Sequence, residues 1–202
     1  MVKDDKFSDL AWQQSKLIAN ISFLIPSSIA TKLLQALELA KKEHFGQLRA
    51  DGTPYIIHPI RVALILIEEL NIKDPDLLAA ALLHDVIEDG SVSSNEIKRQ
   101  FGSETARLVE GLTRPKPKNE TEKEKLKNKL EYIKKIAQSD EKIRLVKLCD
   151  VLDNNRSHAY IPKTSPSFKK IPRWRKEFLH YLPIAEKTNK KIFEIFKKII
   201  NQ

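Results

Sequence analysis

Six ionisable residues, His58, His84, Asp85, Glu88, Asp89 and Asp150, have types and spacings that could do metal-assisted hydrolytic chemistry. Four of them stand in one segment, His84-Asp85-Val86-Ile87-Glu88-Asp89, directly after the apolar run Ala79-Ala80-Ala81-Leu82-Leu83. At the end of so apolar a helix, unpaired charge is expensive. Helical spacing sets Glu88 one turn beyond His84 and Asp89 one turn beyond Asp85, so two chemically distinct rows leave one helix end. Carboxylates at a helix C-terminus oppose the macrodipole, which makes simple capping a poor account of them. Neighbours on a helix point about a hundred degrees apart, so His84 and Asp85 cannot enclose an ion alone. Other helices must complete the set. His58, just before Pro59, and Asp150, on the apolar helix Ile143 to Leu152, have suitable chemistry. Taken alone, His58 reads equally well as a helix-entry histidine and Asp150 as a paired core carboxylate. Two imidazoles with two carboxylates suit a borderline first-row ion such as Mn²⁺, Fe²⁺ or Zn²⁺ better than calcium.

The elements that must position these residues read as helices throughout. Leu10 to Phe23 forms one, ended before Pro26, and a second runs from Ser27 or Ser28 to His44 with Ile29, Leu33, Leu34, Leu37 and Ala40 at helical spacing. Gly46 to Tyr55 is a loop, and Pro59 suits the first turn of the next helix. Asp74-Pro75 opens a helix that is apolar nearly all round, the expected buried centre. Ser93 or Ser94 caps a short helix ending near Phe101-Gly102, and Ser103 to Leu112 forms another. Arg114-Pro115-Lys116-Pro117-Lys118 is an exposed, stiff connection, followed by a charged helix from about Glu120 to Ala137. Asp140 opens the helix that carries Asp150, and two closing helices span Phe168 to Ile200. No segment shows sustained strand alternation, so the fold class is all-α.

Composition bounds the rest. At 202 residues, 41% hydrophobic and 31% charged, the chain suits one ordinary domain with a real core. Val62 to Ile67 is far too short an apolar run for a membrane span, the N-terminus lacks secretory-signal character, and one cysteine cannot form an internal disulfide. The expected compartment is the cytoplasm. A net charge of +9, concentrated in Arg114 to Lys135 and Lys169 to Lys198, suggests a polyanionic partner or simply solvated lysine-rich helices. No nucleic-acid motif or aromatic stacking pattern accompanies the charge. His44, His158 and His180 show no ligand spacing and read as solvent-facing or structural. Trp12, Trp174 and Phe178 read as core or interface anchors, and Cys149 as core packing.

The segments Gly46-Gln47-Leu48-Arg49, Gly52-Thr53-Pro54-Tyr55-Ile56-Ile57-His58-Pro59, Ala81-Leu82-Leu83-His84-Asp85-Val86-Ile87-Glu88-Asp89 and Val146-Lys147-Leu148-Cys149-Asp150, then Asn154 and Arg156, occur in this order. Together they resemble the hydrolase domain of RelA/SpoT-type proteins, most closely the stand-alone small alarmone hydrolases, from about residue 30 to 190. The resemblance implies an HD-domain phosphohydrolase bundle of about 8–10 helices, with 1–25 an N-terminal helical extension and 26–202 a single hydrolase domain. It implies His58, His84, Asp85 and Asp150 as ligands of Mn²⁺ or another first-row ion. Glu88 and Asp89 become the acidic pair that orients or deprotonates water. Arg49, Asn154 and Arg156 become substrate contacts, and Tyr55 a packing residue at the pocket wall. The implied reaction removes the 3′-pyrophosphate of (p)ppGpp, giving GDP or GTP and pyrophosphate. Lys116, Lys118 and the lysines from Lys123 to Lys129 fall in the family's variable basic region.

Departures from the family pattern sit at Ala50, where many relatives carry lysine, and at Val151 and Asp153, where they carry a base and His or Tyr. These positions bear on base choice and leave (p)ppApp open as a substrate. No synthetase segment follows the match, so alarmone synthesis is not expected. Neither a membrane nor a nucleic-acid partner is expected, while self-association and pairing with an alarmone synthetase fit the resemblance. Two rivals stand beside this reading: a broader-specificity HD nucleotidase, and a non-catalytic nucleotide-sensing or nucleic-acid-binding protein.

Overall fold

The computed structural model describes residues 5–24, 26–114 and 120–201; Pro115, Lys116, Pro117 and Lys118 of the expected connection lie outside the described residues. Among the described residues the chain is all-α, and its only strand-like pairing is an isolated bridge between Leu48 and Pro54. Helix α1 (Leu10–Leu24) and α2 (Ser27–Glu43) precede the loop to α3 (Ile57–Leu64). Next come α4 (Pro75–Leu83), the single turn α5 (Val86–Asp89), α6 (Ser94–Phe101), α7 (Ser103–Leu112), α8 (Glu122–Gln138) and α9 (Glu141–Ser157). The chain closes with α10 (Ile171–Leu179), α11 (Leu182–Thr188) and α12 (Lys190–Ile200). None of these helices is long and apolar enough to cross a membrane.

Local chemistry sets the boundaries. Asp74 caps α4 by accepting from the Asp76 and Leu77 N–H groups at 3.0 and 3.1 Å, with Pro75 in the first turn. Ser93 and Glu96 form a reciprocal capping box on α6, and Asp140 accepts from Ile143 N–H at 3.1 Å to open α9. Gly102 alone ends α6 and begins α7, at φ 90° and ψ 167°, a conformation open essentially to glycine. Gly102→Ala is therefore expected to cost about 1–3 kcal/mol, read by urea denaturation; an unchanged midpoint would show that the turn relaxes freely.

Helix α4 is the hub. Leu77 through Leu83 are all buried, and the helix packs against α2, α3, α7 and α9. It occupies the central position that its all-round apolarity predicts. Helix α9 also packs on α3, so α3, α4 and α9 form one contiguous core wall. Their convergence brings the entry of α3, the exit of α4 and the middle of α9 together.

Three departures from the sequence expectations have local causes. The helix expected to carry Glu88 and Asp89 continuously from His84 instead breaks at His84-Asp85 and restarts as α5. There the His84 ring donates to the Ala81 carbonyl at 2.8 Å, the acceptor that a continuing helix would give to the Asp85 N–H. Helix α3 runs on through a π turn, Ile65–Glu69, closed by Leu70 N–H to Ile65 carbonyl and by Asn71 at φ 56°. The two expected closing helices are three, because Asn189 caps α12 through the Lys191 and Ile192 N–H groups.

Candidate metal centre

His58 enters on the first turn of α3, His84 and Asp85 on the break after α4, and Asp150 from the middle of α9. His58 Nε2 lies 3.1 Å from Asp150 Oδ1 and 3.2 Å from His84 Nε2; His84 Nε2 lies 3.1 Å from Asp85 Oδ2. The longer separations are 3.9 Å from His58 to Asp85 and 4.0 Å from His84 to Asp150. With bonds of about 2.1 Å, neighbouring donors around one ion lie about 3.0–3.4 Å apart. The short edges match that spacing, and the His58, His84 and Asp150 donor atoms all fall within 4.8 Å of one another.

Hydrogen bonding on the far side of each ring fixes what the near side offers. His84 Nδ1 faces the Ala81 carbonyl, which can only accept, so Nδ1 carries the hydrogen. His58 Nδ1 faces Asp153 Oδ2 at 2.6 Å, with the same consequence. Both Nε2 atoms are then bare lone pairs held 3.2 Å apart in the core, an arrangement that a shared cation relieves and a mutual hydrogen bond cannot. Without a metal, burial opposes charge on His84, but Asp85 and then Asp150 outweigh it and lift its pKa to about 9, so a proton shared with Asp85 holds the Nε2 position that a cation would take over. The same carboxylate field attracts a divalent ion. The donor set fits a metal.

Each candidate donor is also held from behind. The Tyr55 hydroxyl donates to Asp85 Oδ2 at 2.7 Å. Lys147 Nζ sits 2.7 Å from Asp150 Oδ2, and Asn154 Nδ2 donates to Asp150 Oδ1 at 2.5 Å. Asp153 also takes the Arg61 guanidinium, at 2.6 Å to Oδ1 and 3.1 Å to Oδ2. Burial works against ionised Asp153, yet Arg61, His58 and Arg49 together hold its carboxyl well below the usual range.

The HD-domain family profile matches residues 36–187, a stretch containing the whole donor set and every helix that carries it. The chain belongs to the HD-domain family. This HD-domain protein is 34% identical over 177 residues to the mouse guanosine-3′,5′-bis(diphosphate) 3′-pyrophosphohydrolase MESH1, which covers 87% of this chain and 96% of the mouse protein. It is 37% identical over 158 residues to the guanosine-3′,5′-bis(diphosphate) 3′-pyrophosphohydrolase of Borreliella burgdorferi, 77% of this chain but 22% of that longer protein. A solved structure of a metazoan ortholog of SpoT that hydrolyzes ppGpp superposes with TM-score 0.77 at 31% identity, covering 88% of this chain and 96% of that one. The chain is thus an HD-domain phosphohydrolase related to MESH1/SpoT-type proteins.

A cavity of about 480 Å³ adjoins the donors, with Asp85 and Asp150 in its wall beside Glu88 and Asp89. Glu88 accepts from the Arg114 N–H at 3.2 Å, and its other oxygen lies 3.9 Å from the Arg114 guanidinium. Four cations, Arg49, Arg114, Lys129 and Lys147, also line the cavity. The 46–55 loop presents Arg49 through its closing bonds, Arg49 N–H to Thr53 carbonyl at 2.8 Å and Tyr55 N–H to Gln47 carbonyl at 2.9 Å. Arg49 donates to Asn154 Oδ1 at 2.9 Å and Ser157 Oγ at 3.2 Å. Asn154 therefore spends both ends of its amide inside the protein, tying Arg49 to Asp150.

One expected contact is not at the cavity in this HD-domain protein. Arg156 turns away and clasps Glu69 of the π turn, at 2.5 and 2.9 Å. In place of the expected position on the nucleotide pocket, Arg156 forms a half-buried ion pair that braces α9 against the π turn. Asp153, expected to bear on base choice, lies 1% exposed behind His58 and outside the cavity wall, whereas Val151 does line it. Sequence reading missed Arg61, Asp153 and Lys147 as partners of the ligands. The available signal was Arg61, the one Lys/Arg/Asp/Glu residue on the otherwise apolar α3; Lys147 and Asp153 gave none, because α9 carries many charges. It also missed the stack of His158 on Trp174, 5.2 Å between centroids, which forms a flat cavity wall. Burial, with Arg175 and Arg49 adding to it, pushes the His158 pKa down to about 4, so this wall is uncharged near neutral pH. Trp12 lies near the ammonium groups of Lys6 and Lys16, 5.4 and 4.8 Å from its ring centroid, and Phe178 stacks on Phe196 in the core as an anchor. Cys149 is buried, and His44 is buried against Tyr55.

Proposed function

We propose that this protein removes the 3′-pyrophosphate of guanosine alarmones, with Mn²⁺ at His58, His84, Asp85 and Asp150. The observation that carries the reading is the juxtaposition in one cavity wall of Asp85 and Asp150, with His58 and His84 directly behind them, the Glu88–Asp89 pair and four cations. The kinship with the mouse and Borreliella pyrophosphohydrolases supports it. When bound, the metal supplies Lewis-acid polarisation of a phosphoryl oxygen and acidifies water.

The chain's own residues do the rest. Arg49, Arg114 and Lys129 hold a substrate bearing several phosphate charges and align it for attack. Glu88 or Asp89 accepts the proton of the attacking water. The water oxygen bonds to the phosphorus esterified at O3′, and the P–O3′ bond breaks with its electron pair going to oxygen. O3′ then takes up a proton and pyrophosphate departs. Lys147 neutralises the outer oxygen of Asp150, limiting the negative charge that the incoming phosphates meet. The flat His158–Trp174 wall offers a purine a stacking surface without adding charge.

Purified protein incubated with Mn²⁺ and ppGpp, pppGpp, ppApp, GTP, cyclic nucleotides or single-stranded RNA tests the reading. Intact pyrophosphate is expected from the 3′-pyrophosphorylated nucleotides alone. Turnover of GTP or cyclic nucleotides would instead make the protein a broader nucleotidase, and tight binding without turnover a sensor. Comparing ppGpp with ppApp reads base choice, because Val151 puts an apolar side chain on the cavity where many relatives carry a cation.

A further inference from the structure

Behind the metal donors lies a second polar cluster that the hydrolytic chemistry does not use. Asp153 is 1% exposed and Arg61 3% exposed, yet both are fully engaged. Asp153 Oδ1 takes Arg61 Nε at 2.6 Å; Oδ2 takes His58 Nδ1 at 2.6 Å and the Arg61 terminal nitrogen at 3.1 Å. That nitrogen also donates to Ser157 Oγ at 3.0 Å, and Ser157 Oγ donates to the Asp153 backbone carbonyl at 2.8 Å. Arg61 reaches outward as well, donating to the Phe7 carbonyl at 2.9 Å with its guanidinium 3.9 Å from the Phe7 ring centroid. Phe7 in turn stacks on Tyr160, 4.4 Å between centroids. A continuous set of contacts therefore runs from the 3₁₀ turn Asp5–Ser8 through Arg61 and Asp153 to His58.

We propose that Asp153 is the positioning residue for the ligand His58, holding it as the Nδ1–H tautomer with Nε2 bare toward the ion, and that Arg61 keeps Asp153 aimed. The inference rests on the metal-site reading and not on the identity of the substrate. Two features of the cluster support it. A carboxylate on the outer nitrogen makes an imidazole a stronger donor and fixes its ring plane. The forked Arg61 contact occupies both Asp153 oxygens, so the carboxylate cannot rotate away from His58 without breaking a buried charged pair. Arg49 adds a link to the substrate side, its guanidinium lying 3.8 Å from Asp153 Oδ2.

The test measures Mn²⁺ affinity by electron paramagnetic resonance titration, alongside melting temperature, for the unaltered chain, Asp153→Asn and Arg61→Gln. Asp153→Asn is expected to weaken Mn²⁺ binding roughly 10–100-fold, whereas Arg61→Gln lowers the melting temperature at least as much but shifts Mn²⁺ affinity less. Unaltered Mn²⁺ affinity in Asp153→Asn overturns the proposal. So does a loss of affinity that follows melting temperature across the two variants, since that is general destabilisation. A measurement on the unaltered chain stands if a variant fails to fold. In the Zn²⁺-loaded, ¹⁵N-histidine-labelled protein, His58 is expected to show a strongly downfield Nδ1 proton, assigned by its proximity to Arg61 protons. A His58 protonated at Nε2, or lacking that proton, overturns the assignment. None of these readouts uses a nucleotide, so failure of the alarmone panel leaves them intact, and their failure leaves the panel intact.

Discussion

Asp85→Ala is expected to abolish metal binding and, with it, measurable pyrophosphohydrolase turnover, while leaving a folded protein. Asp85 Oδ2 lies 3.1 Å from His84 Nε2, on a turn where neither α4 nor α5 depends on its side chain for a cap, and on the proposed reading it is a metal ligand. Loss of a hydrogen-bonding partner of a ligand costs roughly 10–100-fold in metal affinity, and loss of a ligand itself should exceed that. The structural cost is small. Tyr55 loses one acceptor, worth about 1 kcal/mol in net terms, and its hydroxyl borders a cavity that water can enter. Bound Mn²⁺ per chain by atomic emission, the melting temperature of the metal-free protein and ppGpp turnover together check this. Full activity in the variant would remove Asp85 from the metal set.

That the residues which the structure gathers at the candidate site stood out in the sequence has a physical reason. Chemistry at the end of an apolar helix leaves a sharp polar boundary, and His84-Asp85 stands at one. The all-round apolarity of α4 placed it at the centre, and Asp74, Ser93 and Asp140 announced their helix starts by side chains that can reach a free N–H. Tertiary pairing was not legible. Arg156 follows Asp150 on the same helix, yet whether it faces the cavity or Glu69 depends on the π turn, which adds a residue to α3 without any glycine or proline to mark it. Asp153 looked like a pocket substitution because spacing along α9 says nothing of Arg61, 92 residues earlier, which captures it. The break at His84-Asp85 was equally hidden, since it depends on where one ring nitrogen finds its acceptor.

Glu88→Gln separates chemistry from binding at the same site. The variant is expected to hold Mn²⁺ as tightly as the unaltered chain and to lose about 10²–10⁴-fold in kcat, or about 2.7–5.5 kcal/mol of transition-state stabilisation. Glu88 lines the cavity beside Asp85 and Asp150, and its carboxylate is turned to Arg114. Glutamine keeps the side-chain length and an oxygen that can accept from the Arg114 N–H, so the local fold should survive. What it removes is a carboxylate able to receive a proton. Because that interaction forms only as the water is deprotonated, kcat and kcat/KM should fall together, with little change in KM. Asp89→Asn is the matched control: adjacent residues on α5 diverge by about a hundred degrees, so only one of the two carboxylates can be best aligned with the attacking water. The variant with the larger kcat loss at unchanged Mn²⁺ affinity identifies the proton acceptor. If Glu88→Gln turns over at the unaltered rate, Glu88 serves only to hold Arg114 at the cavity rim, and the base is Asp89.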